Sequence, residues 1–136
     1  MTVKIAGCWE LGYSAPLTEY DLWHFPLRDF GVDELIMTPV SGIPNVTEYK
    51  TMLEVIQANS DLVIVFVDED GEQPLQSFAH PENCLYVFGK ASYSPFRSLS
   101  EVKGESVRIE THANKGLLWP HQCAVVVLYN RMMKWQ

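Results

Sequence analysis

No run in this 136-residue chain approaches 18 apolar residues, so nothing in it reads as a membrane span. The opening Met1-Thr-Val-Lys-Ile-Ala lacks the apolar core and cleavage site of a secretory signal and reads as a first strand. Cysteine is scarce. Cys8, Cys84 and Cys123 are odd in number, sit in apolar segments and show no paired spacing. That argues against a disulfide framework and against zinc, and leads us to expect reduced, buried thiols in a cytoplasmic, metal-free protein. Positive charge is also in deficit. Ten Lys and Arg face 17 Asp and Glu, a net charge of −7, which argues against broad, sequence-independent nucleic-acid binding. A local basic footprint remains open, because Lys90, Arg97, Lys103, Arg108 and Lys115 fall close together. Two glycine patterns are missing as well. Cys8-Trp-Glu-Leu-Gly-Tyr13 has one glycine where a dinucleotide loop needs three, and Gly89-Lys-Ala91 lacks the hydroxyl of a P-loop.

What is present is a globular composition, 47% hydrophobic and 20% charged, of single-domain length over residues 1–136. Val3 to Cys8 reads as a strand and Leu17 to Phe30 as a helix that Pro26 must kink or end, with Gly31 as its stop. Glu34 to Thr38 reads as a second strand. Asn45 or Thr47 is placed to cap a helix whose stripe is Tyr49, Met52, Leu53 and Ile56. The six apolar residues of Leu62-Val-Ile-Val-Phe-Val67 mark a central parallel strand covered on both faces. A weak helix over Leu75 to Ala79 follows. Then come a strand at Cys84 to Phe88, a strand at Ser106 to Glu110, and an apolar helix from Leu117 to about Lys134. This alternation predicts an α/β fold with a five-stranded parallel sheet and helices on both faces. Ligands of such sheets bind at the carboxyl ends of the strands, here Gly89-Lys-Ala91 and Glu110-Thr-His112.

Asp68-Glu-Asp70 follows the central strand and reads as a solvated acidic turn or, less simply, as a carboxylate site. The acidic pair that a phospho-acceptor domain needs after its first strand is reduced to Glu10. Among the histidines, His80 precedes Pro81 in a turn and is expected to be exposed. His121, in the first turn of the last helix, either packs or reacts. His112 follows the fifth strand, where a neutral imidazole can take a proton near pH 7.

The segments Tyr86-Val-Phe-Gly-Lys-Ala-Ser92, Val107-Arg-Ile-Glu110 and Leu117-Leu-Trp-Pro-His-Gln-Cys-Ala-Val-Val-Val-Leu-Tyr129 resemble, in order and spacing, the end of the SPOUT (α/β-knot) methyltransferases, in particular the SpoU/TrmH branch. Phe30-Gly-Val32 matches the end of that family's first motif. The resemblance implies an α/β trefoil knot at the C-terminus, with the chain from Leu117 onward threaded through a preceding loop. It implies S-adenosylmethionine as cofactor, held by Phe88, Gly89, Lys90, Ile109, Glu110, Thr111, Leu117 and Leu118, and an RNA substrate (tRNA or rRNA), usually methylated at a ribose 2′-hydroxyl. The acceptor side departs from the pattern. Glu19 and Phe25 stand where the first motif has Asn and Arg, Ala91 where it has Glu, Leu117 and Trp119 where it has Ser and Asn, and Glu110 where it has Pro. His24 and Arg28 are the nearest substitutes for the first motif's polar groups and, with His112, are the candidate catalytic residues. The same departures are expected of a catalytically silent RNA-binding or assembly module, and a generic flavodoxin-like binding domain satisfies the bare pattern.

Cys123 to Tyr129 is apolar at every position, whereas a helix resting on one sheet face needs only a stripe. A homodimer through the C-terminal helix is therefore expected, with Trp23 and Phe25 of the first helix as candidates for the facing surface. The resemblance implies the same pairing.

Overall fold

Along each long strand, successive side chains feed opposite faces of the sheet, and the core is accordingly divided in two. The computed structural model describes residues 1–10, 16–89, 99, 101–112 and 118–135, with backbone only for Pro16 and Pro26. β1 (Val3–Cys8), α1 (Pro16–Asp29), β2 (Glu34–Thr38), β3 (Thr47–Glu48), α2 (Met52–Ala58), β4 (Val63–Val67), β5 (Gln73–Pro74), β6 (Cys84–Phe88), β7 (Glu105–Arg108) and α3 (Pro120–Lys134) follow in that order. The strands form one parallel sheet in the order β3-β2-β1-β6-β4-β7-β5. Among the described residues the sheet thus has seven strands rather than five. The two extra are the two-residue edge strands β3 and β5, too short to show any periodicity in sequence.

Ile5, Val65, Tyr86, Phe88 and Val107 face one way and pack with Trp23 and Leu27 of α1 and Ala124, Val127 and Leu128 of α3. Ala6, Ile36, Ile64, Phe66, Leu85 and Val87 face the other way, onto Val55 and Ile56 of α2. β6 lies at the centre, with β1 on one side (Ala6 opposite Val87) and β4 on the other (Val67 opposite Phe88). All five of its residues are buried.

Pro26 does not end α1, which runs on to Asp29. Its stop is the expected one. Gly31 takes φ 69°, its N–H donates to the Arg28 carbonyl at 3.3 Å, and the Val32 N–H donates to the Leu27 carbonyl at 3.4 Å. This is the paired bonding of a Schellman cap, for which glycine carries no Cβ penalty. α2 begins later than its sequence stripe suggests. Thr51, not Asn45 or Thr47, is the cap, accepting from the Glu54 N–H at 3.2 Å. Tyr49 lies before the helix, and Leu53 is exposed while Val55 and Ile56 are buried. The expected helix at Leu75 to Ala79 is one turn of 3₁₀-helix, Leu75–Ser77.

Candidate functional site at the carboxyl ends of the strands

The end of β1 is held by side-chain bonds rather than by glycines. Trp9 is buried and donates from Nε1 to Glu48 Oε2 at 2.8 Å. The same carboxylate accepts the backbone N–H groups of Ser41, Gly42 and Ile43 at 2.9, 2.9 and 3.2 Å, fixing the loop after β2 against the end of β1. After β4, Asp68 is buried and accepts the Asp70 N–H at 3.1 Å, while its own N–H donates to the Val107 carbonyl at 3.0 Å. Asp68 to Gly71 is therefore a structural turn that ties β4 to β7. The described residues contain no group of acidic, histidine or cysteine side chains able to hold a metal ion.

Of the residues expected to hold a cofactor, Phe88 and Gly89 are buried at the end of β6, the middle strand. Ile109 is half-buried after β7 and packs on the α1/α3 side of the core, and Glu110 and Thr111 are exposed beside it. Glu110 pairs with Arg108 at 3.1 Å, and Arg108 also donates to the Gly71 carbonyl at 2.9 Å. Leu118 is exposed just before α3. Lys90 and Leu117 lie outside the described residues, as do Arg97 and Lys115 of the basic group. β6 and β7 are not neighbours. β4 runs between them, so Phe88 and Ile109 stand on either side of Val67 and Asp68.

A chain of rings links this region to the start of α3. Trp23 is 1% exposed and meets Phe88 edge-on, centroids 6.0 Å apart. It meets His121 in the same way at 6.2 Å, and His121 meets Trp119 at 5.9 Å. Gly7 makes room for the indole, since a Cβ there would lie 2.7 Å from two of its ring carbons. Trp23 thus belongs to the core and not to an outer helix face. Its Nε1 is buried with no hydrogen-bond partner among the described residues. One turn earlier on α1, Glu19 is also 1% exposed and accepts the Glu10 N–H at 2.6 Å. Burial pushes the His121 imidazole below its ordinary pKa, and the Glu19 carboxylate pulls the other way. α3 opens with Pro120, and the Trp119 N–H donates to Gln122 Oε1 at 2.8 Å, which satisfies one terminal donor.

Among the described residues, two grooves flank α1. One, of about 600 Å³, runs between α1 and α3 and is lined by Leu22, Phe25, His121 and Val125, with Thr18, Asp21 and Gln122 at its edges. The other, of about 510 Å³, is lined by Tyr20, His24 and Arg28 from α1 and faces Val32–Leu35 and Asn45–Thr47. His24 and Arg28 share that second groove, where the Tyr20 hydroxyl lies 3.2 Å from His24 Nδ1 and the two rings stack. No described residue that follows β6 or β7 lines it. His112 is exposed beyond β7. The three candidate catalytic residues are thus not gathered in one described cavity. The Glu19–Trp23–His121 cluster was not legible as a unit in sequence, although Glu19 and Trp23 stand four apart on one helix face and that spacing is a usable signal.

No protein-family model and no curated protein matches the sequence. Solved structures do match. The SpoU methyltransferase AviRb from Streptomyces viridochromogenes, solved with the cofactor AdoMet, aligns with 99% of this chain and 60% of its own at TM-score 0.74 and 15% identity. A putative RNA methyltransferase from Bacillus anthracis aligns with 97% of this chain and 93% of its own at TM-score 0.71 and 16% identity. An RNA 2′-O ribose methyltransferase aligns with 98% and 56% at TM-score 0.76 and 12% identity. The chain has the fold of these methyltransferases. It spans about 60% of the length of AviRb and nearly all of the Bacillus protein.

Proposed function

We propose that this chain is an S-adenosylmethionine-dependent methyltransferase domain acting on RNA (tRNA or rRNA), with a ribose 2′-hydroxyl as the acceptor. The observation that carries the reading is the fold shared over 99% of the chain with a SpoU enzyme solved with AdoMet. The residues present suit the cofactor. Phe88 and Gly89 are buried at the central strand end, Ile109 to Thr111 follow β7 on the far side of β4, and Leu118 is exposed and apolar just before α3. With Lys90 and Leu117 they would hold it. Once bound, S-adenosylmethionine supplies a methyl group on a sulfonium. The chain's own task is to align an acceptor oxygen and receive its proton. We further propose that the stretch from Leu117 is threaded as in an α/β knot, that the protein works in the cytoplasm, and that it pairs with a second copy across α1 and α3. Leu22, Phe25, Val126, Tyr129 and Met132 are exposed there, and the apolar groove between the two helices invites a second surface.

Calorimetry with S-adenosylmethionine and S-adenosylhomocysteine tests the reading. Binding is expected, and loss of binding in folded Gly89→Trp. No heat at millimolar ligand overturns it. Light scattering tests the pairing, with a dimer expected at micromolar concentration and a folded monomer for Val126→Glu. The absence of the usual Glu, Ser and Asn at Ala91, Leu117 and Trp119 favours a second reading, a catalytically silent RNA-binding module. That reading requires that no labelled methyl group reach total RNA.

A further inference from the structure

We infer that the groove between α1 and the β2–β3 edge holds a ribose-phosphate unit of the RNA strand, with His24 and Arg28 on the phosphate and Asp33 on the ribose hydroxyl. The inference rests on the methyltransferase reading for its choice of RNA. It makes His24 and Arg28 substrate-binding rather than catalytic residues.

His24 and Arg28 stand four apart on α1, so they share one helix face, and both line this groove of about 510 Å³. Their hydrogen-bonding capacity is unspent. Arg108 and Arg131 donate to carbonyls or a carboxylate. The Arg28 guanidinium has neither a hydrogen bond nor an ion pair among the described residues, and rests 5.7 Å from the centroid of the Phe25 ring. Such a ring contact leaves its N–H groups available. His24 is oriented by Tyr20, whose ring stacks on it at 5.0 Å and whose hydroxyl lies 3.2 Å from Nδ1. With that hydroxyl as donor, the imidazole carries its proton on Nε2, which has no partner among the described residues.

The facing wall is acidic, but most of its oxygens are engaged. Glu34 pairs with Lys4 at 3.3 Å and accepts from the Thr47 hydroxyl at 3.1 Å. Asp33 accepts the Val3 N–H through Oδ2 at 2.8 Å, and its Oδ1 has no partner among the described residues. The groove thus offers unspent donors from α1 and an unspent acceptor before β2. Arg28 and Lys4 balance Asp33 and Glu34 in charge, so a bare anion is not favoured over a ligand that brings donors as well. A ribose-phosphate unit brings both. Its phosphate oxygens accept from the guanidinium and the imidazole, and its 2′-hydroxyl, the group that tells RNA from DNA, donates to the carboxylate. No described residue after β6 or β7 lines the groove, so the unit it holds is a neighbour of the methylated one along the strand. The groove also shares no lining residue with the apolar one between α1 and α3, which keeps it distinct from the proposed pairing surface.

The experiment uses the full chain and three probes: a single-stranded oligouridylate RNA, the deoxy oligomer of the same length, and inorganic phosphate. NMR titration is expected to shift His24, Arg28 and Asp33 with the RNA, and the DNA is expected to bind more weakly. Arg28→Gln is expected to weaken RNA binding about 10- to 100-fold and to lower the salt slope of binding by about one. Asp33→Asn keeps an oxygen for the Val3 N–H and is expected to abolish the preference for RNA over DNA. Unchanged affinity and slope in Arg28→Gln, equal binding of RNA and DNA by the wild type, or shifts with phosphate but not with RNA each overturn the proposal. RNA bound in this groove by a chain that takes no S-adenosylmethionine upholds the site and overturns the reading beneath it. S-adenosylmethionine binding with no RNA shift in the groove overturns this proposal alone.

Discussion

His80 shows how far a residue's setting can depart from its sequence context. Preceding Pro81 in a turn, it was expected at the surface, but it is buried. Arg131 donates to the Tyr86 hydroxyl at 3.1 Å, which leaves that hydroxyl to donate to His80 Nδ1, and His80 Nε2 then donates to Asn130 Oδ1. This proton order is that of a neutral imidazole, the form its lowered pKa favours. Burial lowers the His80 pKa, the Asn130 bond opposes this, and the charges of Lys134 and Arg131 add to the lowering. With the folded value below the unfolded one of about 6.5, the unfolded chain takes up the proton first. The stability due to neutral His80 is therefore fully present above about pH 6.5 and lost as pH falls through that value toward the folded pKa. Urea midpoints at pH 7.5 and 5.5 check this, and a smaller acid loss is expected in His80→Gln. Gly71 gives a second residue-scale prediction. A Cβ there would collide with the Val107 backbone, which cannot swing aside. Gly71→Ala is expected to cost about 1–3 kcal/mol, read from the urea midpoint.

At the scale of elements, α3 is fastened at its far end by cations rather than by its apolar stripe. Arg131 donates to the Pro81 and Glu82 carbonyls at 2.6 and 3.0 Å, and Lys134 Nζ to the Leu75 and Phe78 carbonyls at 2.8 Å each. Arg131→Met keeps the stem but strands buried acceptors, so a loss of about 2–4 kcal/mol is expected by urea denaturation. That α3 exists was legible, because an apolar run ending in Leu-Tyr reads directly. Its anchoring was not, since arginine is a surface residue by type and its partners lie some fifty positions away. The same limit explains α2. The apolar spacing implied a helix, but the cap that sets its start is one side-chain bond from Thr51. The place of Phe88 and Gly89 at the end of a central strand was legible. The Glu19–Trp23–His121 cluster was not, because it joins two helices distant in sequence.

Across the whole molecule, the strongest sequence signals became the middle of the sheet. β6 and β4 pair over five registered positions, whereas β3 and β5 each pair at two. Hydrogen exchange is accordingly expected to be slowest at Tyr86, Val65 and Ile5 and faster by orders of magnitude at Thr47 and Gln73. Equal protection across all seven strands would contradict this. The position of β6 also bears on how the chain is assembled. A ribosome delivers β1 and β4 before β6, yet in the finished sheet neither touches the other except through it. Until Cys84 to Phe88 emerges, the nascent chain carries two incomplete apolar layers with open strand edges, and local pairing cannot close them. The last strand to reach the middle acts as a keystone. Folding of this domain is thus expected to wait until β6 has emerged and to depend on holding chaperones while the centre of the sheet is still missing.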